Sequence, residues 1–312
     1  MDALRETTRK MAPATVLKRK RPLKGYQIKN ALIPWLFLLP GIAFTLILRY
    51  YTIFRGFFLS FYHFNVADPP GVFVGLGNFT ELFRDSYYWN SWKNTLIYLV
   101  LILALTFAVP IIQALFLDEV VKFRKLATTL YILPAVIPGT INIVLWKWIW
   151  SPDYGLANYI LKLFGADPLP WLSDMRWVKF CIVFPGVIGG GIGVLLYLAA
   201  ILGISQDIRE AAMLDGCTGI KRMVYITLPN ITFLILIQLI LCTMGALQIL
   251  DAPFQYTKGG PAHAAESLPL LIYNLYNVTY DFGKGSAAAM TLMLIISIIT
   301  FIQLKLNKQQ SE

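Results

Sequence analysis

Charged residues are missing from six stretches of the chain, at 31–48, 95–117, 126–146, 180–206, 223–250 and 285–304. Crossing the hydrocarbon core of a bilayer takes roughly 20 helical residues at about 1.5 Å each, so the pattern predicts six transmembrane helices. Alternating barrel strands of about ten residues are absent, and backbone groups in hydrocarbon must then pair within each segment. The expected fold is an all-α integral membrane protein, with a polar tail at 1–30 and one six-helix membrane domain at 31–312.

Composition agrees with this. Hydrophobic residues make up 57% and charged residues 14%, against about a quarter charged in soluble domains. The formal charge of +10 raises nucleic-acid binding as a function, and the placement of the charges removes it. An even number of spans puts both termini on one side. That side collects 17 of the 27 Lys and Arg: nine before Ala31, then Lys122, Arg124, Lys125, Arg209, Lys221, Arg222, Lys305 and Lys308. The positive-inside bias therefore places both termini in the cytoplasm and gives the basic charge a topogenic role. The run Lys18-Arg19-Lys20-Arg21 ahead of an apolar stretch, with no small-residue cleavage site after Leu48, is expected to be a retained signal anchor. Cys181 and Cys242 fall in spans and Cys217 in an inner loop, a distribution that offers no structural disulfide.

Outer connections at 61–92, 151–177 and 252–284 are rich in Gly, Pro, Asn and aromatics, as suits the interface where Trp and Tyr gather. The inner loop 118–125 is very short. The inner loop at 205–230 is longer and patterned. From Ile208 it reads Ile-Arg-Glu-Ala-Ala-Met-Leu-Asp-Gly-Cys-Thr-Gly-Ile-Lys-Arg-Met-Val-Tyr-Ile-Thr-Leu-Pro, which local rules parse as helix, tight turn, helix. Asp207 is expected to cap the first helix, with Glu210 reaching back three residues on. Gly216 breaks that helix, and Thr218 is expected to cap a second one. There Ile220, Met223, Val224, Thr227 and Leu228 share a face, and Pro229 marks the step into the fifth span. Ala211 and Ala212 leave a helix slim enough to lie in another protein's cleft, with Arg209 and Glu210 offering charged hydrogen bonds at its rim. The plainer alternative is a well-formed surface helix.

The spacing Glu-Ala-Ala, three residues, Gly, nine residues, Ile-x-Leu-Pro is carried by Glu210-Ala211-Ala212, Gly216 and Ile226-Thr227-Leu228-Pro229. It resembles the permeases of ATP-binding-cassette (ABC) importers. Asp215 ahead of Gly216 resembles their carbohydrate-uptake, maltose-permease-like branch. So do Phe73-Val74-Gly75-Leu76-Gly77-Asn78-Phe79, Leu133-Pro134, Gly259-Gly260-Pro261, Glu266-Ser267-Leu268 and Phe282-Gly283. Departures are Cys217, Met223 and the lack of a second Pro after Pro229. The resemblance implies a type I importer permease fold, embedded in lipid of a bacterial cytoplasmic membrane. It implies a coupling helix in loop 205–230, where Arg209, Glu210, Ala211, Ala212, Asp215, Gly216, Ile226, Leu228 and Pro229 engage a dimer of ATPase subunits. Further implied partners are a second permease subunit, favoured as a different chain, an extracytoplasmic solute-binding protein seated on outer segments 67–90 and 256–280, and a carbohydrate substrate.

The chain shows no Gly-x4-Gly-Lys-Ser/Thr loop, so ATP and Mg are expected on the partner ATPase and the chain is not expected to be an enzyme. No His-Glu-x-x-His pattern is present, and His63 and His263 stand alone in outer loops, so no metal or catalytic constellation is expected. The lack of mid-span Asp or Glu counts against an ion-coupled carrier, one alternative beside an importer of a non-sugar solute. The fourth stretch contains Pro185 and Gly189-Gly190-Gly191-Ile192-Gly193, which serve either close helix packing or room for a ligand. By distance from Glu210, the likeness to maltose-type permeases implies a substrate path lined by Gly189, Ile192, Gly193, Gly245, Ala246 and Ile249. Tyr197 and Gln248 are then the nearest groups for gripping a sugar. Such a lining suits an oligosaccharide, or a pocket made mainly by the other permease subunit.

Overall fold

The computed structural model describes residues 25–65, 71–120, 122–189 and 191–310. The basic tail up to residue 24, Ala67 at the start of an outer segment, and Gly190 of the glycine run lie outside these described residues. The chain divides into two units, one ending at Arg55 and one starting at Gly56. The first helix starts at Gly25, inside the stretch read as a tail. Its apolar part, α1 (Pro34–Leu59), passes through a π-turn at Leu46–Tyr50. Trp35, Phe37 and Ile47 along it are exposed, a surface that suits hydrocarbon and not water.

The second unit begins with a small antiparallel pair, β1 (Tyr62–His63) and β2 (Val72–Phe73), in the register Tyr62 to Phe73. It was not foreseen from the apolar pattern. α2 (Gly77–Arg84) follows, then α3 (Ser86–Leu105) and α4 (Val109–Glu119), which together form one apolar span, Ser86–Glu119. α5 (Arg124–Val136) and α6 (Gly139–Ile149) replace the continuous third helix expected at 126–146. The interruption has a local cause: Pro138 sits at the N-cap of α6 with ψ 135°, an extended angle that ends one helix before the next begins. α7 (Leu156–Leu163) lies in the connection to α8 (Val178–Ile188) and α9 (Gly191–Leu202), two segments that meet at 42° across the glycines.

Beyond them come α10 (Gln206–Leu214), α11 (Gly219–Asn230) and α12 (Thr232–Leu247), the last two bent by 71° at Ile231. α13 (Asp251–Thr257), α14 (Leu268–Asn277) and α15 (Phe282–Gln310) complete the order. Among the described residues three helices are long and apolar enough to cross a membrane, and five if each bent pair is one span.

Three apolar clusters hold the second unit together. One joins Tyr98, Trp146, Trp150, Trp171 and Val178. A second packs Ile111 and Leu117 of α4 against Val194, Tyr197 and Ile201 of α9 and against Ile231. The third brings Leu82, Tyr88 and Trp92 onto Leu268, Ala287 and Leu292. In the second cluster Gly193 lets α9 approach α4 closely, since an added Cβ would stand 3.3 Å from Pro110 Cβ. That glycine serves helix packing.

Candidate functional site

The patterned loop folds as helix, turn, helix. Ser205 has ψ 145° and its Oγ accepts from Ile208 N at 3.4 Å, so Ser205 caps α10, not Asp207 as expected. Asp207 already lies in the first helical turn, where its carboxylate still favours the positive end of the helix. Glu210 does not reach back to the cap. It accepts from Gln206 Nε2 at 2.8 Å along the helix surface. At the far end Gly216 adopts φ +70°. Cys217 N donates to Ala212 O at 2.8 Å and Gly216 N to Met213 O at 3.1 Å, the paired bonds of a Schellman turn. Thr218 stands at the N-cap of α11 without a side-chain capping bond. Within α11 the residues Met223–Thr227 form a π-turn, and Asn230 Nδ2 donates to Ile226 O at 2.7 Å.

This geometry sorts the expected docking residues by face. Glu210, Ala211, Asp215, Gly216 and Pro229 are exposed, Ile226 and Leu228 are half-buried, and Ala212 is buried against its own chain. The anticipated apolar face of the second helix is split: Thr227 is buried while Ile220 and Val224 are exposed. Leu214, which pattern reading passed over, is 89% exposed just before the turn, and Ile220 just after it is 77% exposed. Arg209 departs from its expected place. It does not sit free at the rim but turns inward, its Nη1 3.3 Å from Asp118 Oδ1 and its Nη2 donating to Ile201 O.

Asp118, at the end of α4, collects two more arginines. Arg124 Nη2 stands 3.6 Å and Arg222 Nη2 3.5 Å from its oxygens, and the Asp118 side chain is only 5% exposed. Arg222 also pairs with Glu119. Among the described residues no group of three or more His, Cys, Asp or Glu is arranged to hold a metal ion.

The eight residues expected along a substrate path do not share one environment. Gly189, Ile192, Gly245 and Gln248 are exposed, Gly193 is half-buried against α4, Ile249 is half-buried, and Tyr197 and Ala246 are buried. Gln248 borders an open groove of about 400 Å³ shared with Tyr273, Tyr276 and Asn277. Two aromatic rings and two amides at one groove are groups able to hold a sugar.

Residues 119–311 match the family model for the binding-protein-dependent transport system inner membrane component. The chain belongs to the ABC importer permeases. This permease is 31% identical to the probable ABC transporter permease protein YurN of Bacillus subtilis, over 91% of this chain and 99% of that one. It is 30% identical to the trehalose/maltose transport system permease protein MalF of Thermococcus litoralis, over 90% and 95% of the two chains. Its structure superimposes with a TM-score of 0.81 and 26% identity on a chain of a bacterial ABC transporter involved in the import of the acidic polysaccharide alginate, covering 92% of this chain and 99% of that one.

At the opposite end of the α3 and α4 span, the permease holds the backbone carbonyls of loop 258–267 with amide and hydroxyl donors and one cation, Lys179, whose Nζ donates to Ala264 O at 2.5 Å and to Asn94 Oδ1 at 3.1 Å. Asn94 Nδ2 donates to His263 O at 2.9 Å and Glu266 O at 3.0 Å, Asn90 Nδ2 to His263 O at 2.9 Å, and Tyr98 OH to Ala265 O at 3.0 Å. Thr95 Oγ1 accepts from Leu268 N at 2.8 Å. The motif residues Asn78 and Gly283 also prove structural: Asn78 Nδ2 donates to Ser60 O and Tyr62 O at 2.9 Å, and a Cβ on Gly283 would fall 2.2 Å from Tyr62 O.

Proposed function

We propose that this permease moves carbohydrate through a path shared with a second permease subunit, and that loop 206–230 is where a separate ATPase docks. The observation that carries the docking reading is the bare apolar pair at the turn, Leu214 and Ile220, flanked by exposed Glu210, Ala211 and Asp215. Large apolar side chains on a capped loop rich in polar neighbours leave a patch that water solvates poorly and a partner protein covers well. In this reading the basic loop ends and both termini face the cytoplasm, α5 and α6 complete a sixth span, and ATP and Mg belong to the partner. An extracytoplasmic binding protein delivers solute to the face that carries loop 258–267. The trehalose/maltose and alginate relatives support a carbohydrate cargo, and Gln248, Tyr273 and Asn277 with the exposed Gly189, Ile192 and Gly245 form this chain's wall of the path.

The test is co-purification followed by uptake. The affinity-tagged permease brings down an ATPase subunit, and Glu210→Lys, which reverses a charge in the docking face, cuts ATP-dependent uptake at least about tenfold while the chain stays in the membrane. Uptake is compared for glucose, maltose and longer oligosaccharides. No co-purifying ATPase ends the docking reading, and transport of none of these sugars ends the cargo reading.

A further inference from the structure

Asp118 lies outside the recognised docking motif, yet four chain segments meet at it. It closes α4; Arg124 opens α5; Arg209 sits in the first limb of the loop and Arg222 in the second. The arginines also take up carbonyls at helix ends. Arg124 Nε donates to Leu117 O at 3.1 Å and its Nη2 to Asp118 O, while Arg209 donates to Ile201 O at the end of α9. Cations placed on the last carbonyls of α4 and α9 satisfy acceptors that the helices leave open and complement their negative ends. The cluster holds three guanidinium groups against two carboxylates, since Arg222 is shared between Asp118 and Glu119.

We propose that Asp118 is the positioning residue that makes both limbs of loop 206–230 move as one body with the adjoining ends of α4, α5 and α9. A loop fixed through only one limb could hinge at Gly216 when pulled. Here one nearly buried carboxylate engages Arg209 before the turn and Arg222 after it, so the turn cannot open without separating charges in a poorly hydrated place. The guanidinium fork is what allows each arginine to serve two acceptors at once, which lysine cannot do in the same plane. A pull at Leu214 or Glu210 is thereby delivered to helix ends, not absorbed in the loop.

This inference rests on the docking reading above, and the experiment keeps the two apart. Spin labels are attached at Tyr225→Cys, in the second limb and outside the docking face, and Phe116→Cys, both exposed sites, in a background carrying Cys181→Ser, Cys217→Ser and Cys242→Ser. The full complex with its ATPase is measured with and without ATP. In the otherwise unchanged chain the interlabel distance stays within about 2 Å, the scale of small helix shifts, and in Asp118→Asn it changes by more than that on ATP addition. The ATPase subunits remain bound to the Asp118→Asn complex at the parent level, because the exposed docking face is untouched. Should Asp118→Asn fail to assemble, Arg222→Gln carries the same measurement, since it frees the second limb and leaves Asp118 with two partners. An ATP-dependent change no larger than the parent's in the assembled variant overturns the proposal, as does a parent whose loop and α4 end already separate on ATP. Absence of the ATPase from the parent complex overturns the docking reading instead.

Discussion

The two ends of this permease fasten their loops around different acceptors, a carboxylate at one and backbone carbonyls at the other. At the Glu210 end, loop 206–230 is held by ions gathered on Asp118, at separations of 3.3 to 3.6 Å. At the other end, the carbonyls of loop 258–267 accept hydrogen bonds from Asn90, Asn94, Tyr98 and Lys179, at 2.5 to 3.0 Å. Attraction between charges falls only as the inverse of distance, so an ionic anchor stays engaged while the elements it joins travel together. Hydrogen bonds weaken steeply once their geometry is lost, so an amide anchor holds one shape or lets go. The first suits an element that shifts while staying attached, and the second a surface that must present a fixed form.

The comparison can be broken most forcefully at Asp118. Asp118→Ala leaves the partly buried Arg124 and Arg209 without a carboxylate and Arg222 with Glu119 alone, and is expected to destabilise the chain by about 3 kcal/mol or more, read as a lowered thermal unfolding midpoint in detergent. Next comes Asn94→Leu, which strips the carbonyls of His263 and Glu266 of a donor and is expected to cost about 2 kcal/mol locally. Faster tryptic cleavage after exposed Lys258 is the readout, while the ATPase stays bound. Gly216→Ala places a side chain at φ +70° and is expected to cost about 1 kcal/mol, visible as weaker retention of the ATPase with unchanged trypsin sensitivity at Lys258.

The smallest effect concerns a charge pair at the hydrogen-bonded end. Lys284 donates to Glu81 and holds the Glu81 carboxyl below its ordinary value of 4.5. A depressed carboxylate contributes stability that is present above 4.5 and fades as pH falls through its folded-state value. The Glu81 side chain is 58% exposed, so the contribution is under about 1 kcal/mol. Glu81→Gln removes this acid sensitivity and leaves neutral-pH unfolding nearly unchanged.

The sequence carried the loop's plan because its determinants are local. Gly216 stops a helix wherever it stands, and the spacing from Glu210 to Pro229 survives folding intact. Nothing comparable announced the Asp118 cluster. Arg209 lies 91 residues from Asp118, and no local rule joins them; the one available hint was a carboxylate closing an apolar stretch with Arg124 six residues on. Ser205 displaced Asp207 as the cap because the first helical residue falls at Gln206, a boundary that composition places only loosely. Counting charge-free residues overlooked Pro138, which splits the third stretch although its signal was in plain view. Tyr197 is buried against α4 because distance from Glu210 fixes a residue's height along α9 but not the side it faces.

The 71° corner between α11 and α12 gives the chain a bell crank. Its pivot, Ile231, is 3% exposed and packed into the cluster between α4 and α9. At about 1.5 Å per residue the two arms measure about 18 Å and about 24 Å. Because that pivot is packed onto α4 and α9, a rotation of the whole body that carries Gly219 about 3 Å carries Leu247 about 4 Å, turned from the plane of the loop into the tilt of a span. A short displacement at the loop is thereby enlarged at Leu247 and its neighbour Gln248.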